Sequence, residues 1–169
     1  MFATQPFASI HSSPEQAADA VLRQYWNGQY PVDPVLIAQS MGLTVGLLNP
    51  FTEHGLSGRF DAVQRYIGVS STEAPVRQRF TTAHEIGHYV LNHGSNFRDA
   101  PSSFSSGISD PKEREANQFA AALLMPAEAV RQVIASGRFR LVEEIANLFG
   151  VSKVAMSYRI SNLNLSLFL

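Results

Sequence analysis

Phe80-Thr81-Thr82-Ala83-His84-Glu85-Ile86-Gly87-His88 decides how this chain is read. Phe80, Ala83, Ile86, Gly87, Val90 and Leu91 recur at helical spacing between Ala74 and Gly94, which predicts one helix across the stretch. Positions i and i+4 of a helix share a face, so His84 and His88 aim their rings at one point. Two imidazoles so placed provide half of a tetrahedral zinc site. Glu85 sits one position round from His84. There it can lean toward an ion without ligating it and act as a general base. Gly87 costs a helix about 1 kcal/mol relative to alanine and marks a place of close approach. In a chain with five histidines the pattern can also arise by chance. Its place inside a helix of adequate length favours the metal reading.

A catalytic zinc needs a third protein ligand and an open position for water. The chain has no cysteine, so the third ligand must be His, Asp or Glu. The stretch from Glu113 to Pro126 offers candidates. Glu113, Ala116, Asn117, Ala120 and Leu124 form a helical stripe, and a carboxylate heading a stripe of small residues can meet a second helix at close range. Glu115 is the rival ligand. Both acids are equally at home as first-turn residues favoured by the helix dipole.

Outward from these stretches the punctuation is clear. Ser13-Pro14-Glu15-Gln16 starts a helix that runs to about Trp26, with Gln16 completing a capping box, and Asn27-Gly28 breaks it. Asp33-Pro34 opens a second helix and Gly42 closes it. Leu43–Leu48, Leu56–Asp61 and Arg65–Val69 are strand candidates. Ser95 to Gly107 is Ser-rich and aperiodic and reads as a mobile loop. Asp110-Pro111 starts a helix that Met125-Pro126 ends; shorter helices are expected near Pro126–Ser136, Leu141–Phe149 and Lys153–Leu163. The expected fold is α+β: helices around a small three-stranded, mostly antiparallel sheet, followed by a C-terminal helical extension. One domain is expected over residues 1–169, with a catalytic core at about 14–126 and a helical part at about 127–169.

Composition narrows the function. The chain has 169 residues, 45% hydrophobic and 16% charged, enough apolar material for a core. Thirteen basic and fourteen acidic residues leave a net charge of −1, which argues against direct nucleic-acid binding and against an anionic membrane surface. Without cysteine there is no disulfide scaffold, thiolate zinc finger or cysteine nucleophile. Met1 to Ser13 holds no Lys or Arg and no long apolar run, so it does not read as a signal peptide. A soluble, cytoplasmic protein is expected.

The helix Phe80–His88, followed by Glu113-x-x-Ala116-Asn117-x-Phe119-Ala120 and Leu123-Leu124-Met125-Pro126, resembles the ImmA/IrrE metallo-endopeptidases. Pro31 to Gly42, Leu56-Ser57-Gly58 and the Tyr66–Val69 strand are similar to the same family, so the resemblance covers roughly residues 20–165. It implies a minimal zincin-like (gluzincin-like) domain with His84, His88 and Glu113 as metal ligands, Glu85 as catalytic base, and Asn117 orienting a ligand from behind. The implied ion is zinc; a His/His/Glu set also accepts manganese or iron. The implied substrate is a DNA-binding partner, typically an Xre-type helix-turn-helix regulator, in stress circuits or toxin–antitoxin-like pairs. Some members carry a further sensor domain, for which this chain is expected to be too short.

Other residues carry weaker signals. Tyr66, Tyr89, His93 and Tyr158 are candidates to stabilise an oxyanion. His93, five residues past His88, reads best as a helix-end histidine off the ligand face. Arg77 and Arg79 either bind substrate or pack the site helix. Ile145 to Ile160 resembles a helix-turn-helix. A DNA-binding reading turns Lys153, Ser157 and Arg159 toward a duplex, whereas the plainer reading packs this pair against the core. Two further functions compete with the endopeptidase: a non-proteolytic, metal-stabilised binding module, and a DNA-binding regulator. A pure binder has no need of Glu85.

Overall fold

Proline in the first turn and a capping side chain before it fix where the first helices begin. The computed structural model describes residues 13–49, 51–99 and 110–167. Helix α1 (Pro14–Tyr25) is capped by Ser13, whose Oγ accepts the Gln16 amide at 3.2 Å. Helix α2 (Pro34–Ser40) is capped by Asp33, whose Oδ1 accepts the Val35 amide at 2.9 Å. Strands β1 (Thr44–Leu47), β2 (Leu56–Asp61) and β3 (Tyr66–Val69) follow, then the site helix α3 (Pro75–Val90). After strand β4 (Asn96–Asp99), Asp110 caps helix α4 (Pro111–Leu124), its Oδ1 accepting the Lys112 amide at 2.9 Å. Helices α5 (Ala127–Ala135), α6 (Val142–Phe149) and α7 (Lys153–Asn162) follow. Gly150 ends α6 in the left-handed region at φ 62°, and the Ser152 hydroxyl accepts the Ala155 amide to start α7.

The fold is α+β with a mostly antiparallel sheet, as expected. Strand order is β1-β3-β2-β4; β1 runs parallel to β3, and β2 runs antiparallel to both β3 and β4. Among the described residues the sheet therefore has four strands rather than three. The fourth corrects the reading of Ser95–Gly107 as a loop throughout: residues 96–99 pair with β2, so backbone hydrogen bonding extends the sheet where the side-chain pattern gives no strand signal. The rest of that stretch, residues 100–107, lies outside the described residues.

Helix α3 lies between β2 and β3 on one side and α4 on the other, and α1 packs on α4. The shared core takes Phe60, Ile67 and Val69 from the sheet, Ala83, Ile86 and Val90 from α3, and Phe119, Ala120 and Leu123 from α4. The two helices α3 and α4 come close at Gly87. A Cβ there would lie 3.2 Å from Ala116 Cα and 3.1 Å from a Phe119 ring carbon. This is the reason for a glycine in mid-helix.

Two buried or half-buried arginines join the C-terminal helices to this core. Arg159 Nε donates to the Met125 carbonyl at 2.9 Å. Arg79 Nε donates to the Gly150 carbonyl at 3.0 Å, and its Nη2 donates to the Val32 carbonyl. Burial pulls both guanidinium groups below the ordinary arginine range. Among the described residues, no helix is long and apolar enough to cross a membrane.

Candidate metal centre

Helix phase and one close contact build the site. His84 and His88 share a face of α3, and the Gly87–Ala116 contact brings the first turn of α4, with Glu113, against that face. His84 Nε2 lies 3.2 Å from Glu113 Oε2, His88 Nε2 lies 3.2 Å from Glu113 Oε1, and the two Nε2 atoms are 2.9 Å apart. One donor atom from each residue falls within a 4.8 Å group. Zn–N bonds of about 2.0–2.1 Å put tetrahedral ligand atoms roughly 3.3 Å apart, so the triad has the spacing a zinc ion needs. Two nitrogens and one carboxylate suit a first-row transition ion better than calcium or magnesium. Both histidines are buried and Glu113 is partly exposed, which leaves the open side of the cluster toward solvent.

The atoms behind the ligands fix which ring nitrogen faces the cluster. His84 Nδ1 is 3.0 Å from Asn117 Oδ1. An amide oxygen can only accept, so His84 carries its proton on Nδ1 and leaves the Nε2 lone pair for an ion. His88 Nδ1 is 3.0 Å from His93 Nδ1, and His93 Nε2 is 3.0 Å from Glu115 Oε2. A single proton assignment satisfies this chain. His88 Nδ1–H donates to His93 Nδ1, and His93 Nε2–H donates to the Glu115 carboxylate. Burial, then the neighbouring His88, lowers the His93 pKa and favours the neutral ring that this assignment requires.

His93 is therefore not an isolated helix-end residue. Asn92, at φ 57°, turns the chain back past the helix terminus, and the His93 amide donates to the His88 carbonyl at 2.9 Å. Helical arithmetic stops at Val90 and could not find this contact. Glu115 faces His93, whereas the group that can hold an ion contains Glu113. The structure thus places Glu113 beside His84 and His88, and Glu115 beside His93.

Glu85 is fully buried on the same helix and outside the ligand group. Its carboxylate lies against β2 at Gly58, where a Cβ would come within 2.7 Å of Glu85 Oε1. The neighbouring Ser57 hydroxyl donates to Glu73 Oε1 at 2.6 Å, tying β2 to the approach of α3.

The remaining candidates fall in three places. Tyr66 donates to the Leu47 carbonyl at 3.2 Å and the Tyr89 hydroxyl accepts from Arg65 at 3.0 Å, so both serve the sheet side. Arg77 faces Glu73 at 3.6 Å, and Arg79 holds the backbone carbonyls described above. Tyr158 is exposed beside Phe80 and Asn117. Of the residues a DNA-binding reading turns outward, Arg159 is buried, Ser157 donates to the Lys153 carbonyl at 2.9 Å, and Lys153 lies 3.4 Å from Glu143. The placement of Arg159 corrects that reading.

Comparison with known proteins agrees with this architecture. The chain is 33% identical over 112 residues to the radiation response metalloprotease IrrE of Deinococcus radiodurans, an alignment covering 62% of this chain and 33% of the relative. The chain thus spans about a third of that protein's length. A solved Mycobacterium tuberculosis transcriptional regulator shares the fold with a TM-score of 0.62 at 16% identity, over 88% of this chain and 46% of the other. The sequence profile of the IrrE N-terminal-like domain, peptidase family M78, matches residues 35–161, and the chain belongs to that family.

Proposed function

We propose that this protein is a zinc-dependent endopeptidase that cleaves a partner protein, with His84, His88 and Glu113 holding the ion and Glu85 as general base. The observation that carries the reading is the convergence of His84 Nε2, His88 Nε2 and a Glu113 oxygen, with Glu85 buried on the same helix but outside the group. The match to a metalloprotease over 112 residues supports it. A bound zinc ion supplies Lewis acidity and lowers the pKa of water toward about 7. Glu85 accepts the proton of the attacking water and returns it to the leaving amine. Asn117 and His93 hold the two imidazoles in the orientation that presents Nε2. The substrate we favour is a cytoplasmic Xre-type helix-turn-helix regulator, on the strength of the family resemblance.

Glu85→Gln tests the reading. The amide keeps the shape of the side chain but cannot take the water proton. Zinc content should stay at one ion per chain while cleavage of a regulator encoded beside this protein falls about a hundredfold or more. Equal cleavage by both proteins removes Glu85 from the mechanism. If neither protein cleaves the regulator and both bind it, the metal-stabilised binding module is the correct reading.

A further inference from the structure

A cleft of about 460 Å³ opens between α1, α4, α5 and α7, and none of His84, Glu85, His88 or Glu113 lines it. Glu15 and Asp19 stand on one face of α1, Gln118 on α4, Ala127 at the start of α5, and Arg159 and Asn162 on α7. The roles given above use only Arg159, through its Nε.

Arg159 is 6% exposed, and its Nε donates to the Met125 carbonyl at 2.9 Å. The donors on its two Nη atoms meet no acceptor among the described residues. A guanidinium buried this deeply ordinarily has every donor engaged. Its charged neighbours are Glu15 and Asp19, which counter the downward pull of burial, and Arg131, which adds to it. Neither carboxylate closes on Arg159 as an ion pair among the described residues. The start of α5 adds a second positive element. Pro126 precedes Ala127, so no side chain caps the first-turn amides at the positive end of this helix. Glu128, the acid of that turn, instead accepts from Gln132 Nε2 at 3.0 Å.

The cleft therefore has a positive corner, Arg159 with the start of α5, and a negative one, Glu15 with Asp19. A simple anion entering it meets two carboxylates, and a simple cation meets a guanidinium. A molecule that carries both charges a few bonds apart satisfies both corners. We propose that this cleft binds a free α-amino acid, its carboxylate against Arg159 and the first turn of α5, its ammonium against Glu15 and Asp19. The carboxylate completes the charge-assisted fork that the Nη atoms leave open. Gln118 and Asn162 add neutral donors and acceptors. The volume falls in the roughly 300–1,000 Å³ range of small-molecule sites and leaves room for the ligand's side chain. A bound amino acid ties α1 and α5 to α7 and, through Arg159 and Met125, to the end of the helix that carries Glu113. The site stands apart from the endopeptidase reading and does not depend on it.

The test needs no cleavage. Zinc-loaded protein is melted with each of the common L-amino acids at about 10 mM, enough to fill a millimolar site and raise the melting temperature. The strongest stabiliser is then titrated calorimetrically beside its amide, which lacks the carboxylate, and its N-acetyl form, which lacks the ammonium. The intact amino acid should bind once per chain and at least tenfold tighter than either derivative. Two variants locate it. Glu15→Gln with Asp19→Asn changes only exposed positions of α1. Ala127→Glu puts a carboxylate in the positive corner, at a first-turn position where a helix favours an acid. Each should weaken binding at least tenfold at unchanged zinc content. Failure of every amino acid to stabilise the protein overturns the proposal. Equal binding of the amide or the N-acetyl form leaves a plain cation or anion site and overturns it as well. Binding that either variant leaves unchanged places the amino acid elsewhere, as chelation of the zinc would, and overturns the cleft.

Discussion

Gly58→Ala separates the site's chemistry from the stability of the fold. An alanine Cβ at 58 would stand 2.4 Å from Thr81 Cγ2 and 2.7 Å from Glu85 Oε1, whereas carbon atoms in contact prefer about 3.5–4.0 Å. Thr81 is fully buried and β-branched on α3, so it cannot swing aside. Either α3 moves off β2 or the two side chains leave their positions. Overpacking of this kind costs about 1–3 kcal/mol. At roughly 2–4 °C per kcal/mol for a domain of this size, the melting temperature should fall by about 2–12 °C. The catalytic loss should be larger, because displacing a reacting group by about 1 Å costs on the order of a hundredfold. Thr81→Ala divides the two effects. It removes Cγ2 together with a hydroxyl buried without a hydrogen-bond partner, so its own cost should be small. In the double variant most of the lost melting temperature should return while kcat/KM stays depressed, since the Glu85 contact persists. The measurements are calorimetric melting of the zinc-loaded proteins, zinc content, and steady-state cleavage of one peptide substrate. Wild-type cleavage by Gly58→Ala would refute the placement of Glu85 against this strand. Recovery of cleavage by the double variant would show that Thr81 alone senses position 58.

The ligand assignment makes a graded series. Glu113→Ala should strip the ion in competition with a zinc chelator, whereas His93→Ala should weaken zinc about 10–100-fold, the usual effect of removing a group that orients a ligand. Glu115→Ala, acting on an acid half exposed to solvent, should weaken it least; a Glu115 effect larger than that of Glu113 reverses the assignment. Gly87→Ala should destabilise by about 1–3 kcal/mol in denaturant titration despite alanine's higher helix propensity, because the obstacle is Ala116 backbone. A gain in stability there would mean that α3 and α4 lie farther apart than described. Arg159→Ala should cost about 1–3 kcal/mol by leaving the buried Met125 carbonyl without its donor, and a neutral result would place that carbonyl in contact with water.

Most of the fold is written in local signals. Ser13, Asp33 and Asp110, each followed by proline, start helices where such pairs should, and Gly150 ends one. β4 was illegible because Asn96-Phe97-Arg98-Asp99 has no alternating or β-branched pattern; its strand character comes from pairing with β2. In the candidate site, the shared helix of His84, Glu85 and His88 and the common face of the two histidines follow from local periodicity. That Glu113 and not Glu115 lies beside the two histidines depends on the packing of α3 on α4, which spacing does not give. His93 was hidden by the left-handed turn at Asn92, since residues beyond a helix end obey no periodicity. The buried arginines were invisible for a different reason. Nothing in a sequence distinguishes a guanidinium in water from one bonded to distant carbonyls.

Those two arginines bear on where the chain can be cut. Arg79 reaches forward to Gly150 and Arg159 reaches back to Met125, so each half holds a cation whose acceptor belongs to the other. A fragment ending after Pro126 would retain Arg79 without one of its carbonyls and lose Phe149 and Met156, both fully buried, from its core. The severed C-terminal piece would carry Arg159 facing nothing. Limited proteolysis should therefore find no stable 14–126 fragment, even though His84, His88 and Glu113 all lie within it. The natural unit for expression, crystallisation or transplantation runs through α7, and mutations in the last two helices should register as loss of soluble protein before they register as altered chemistry.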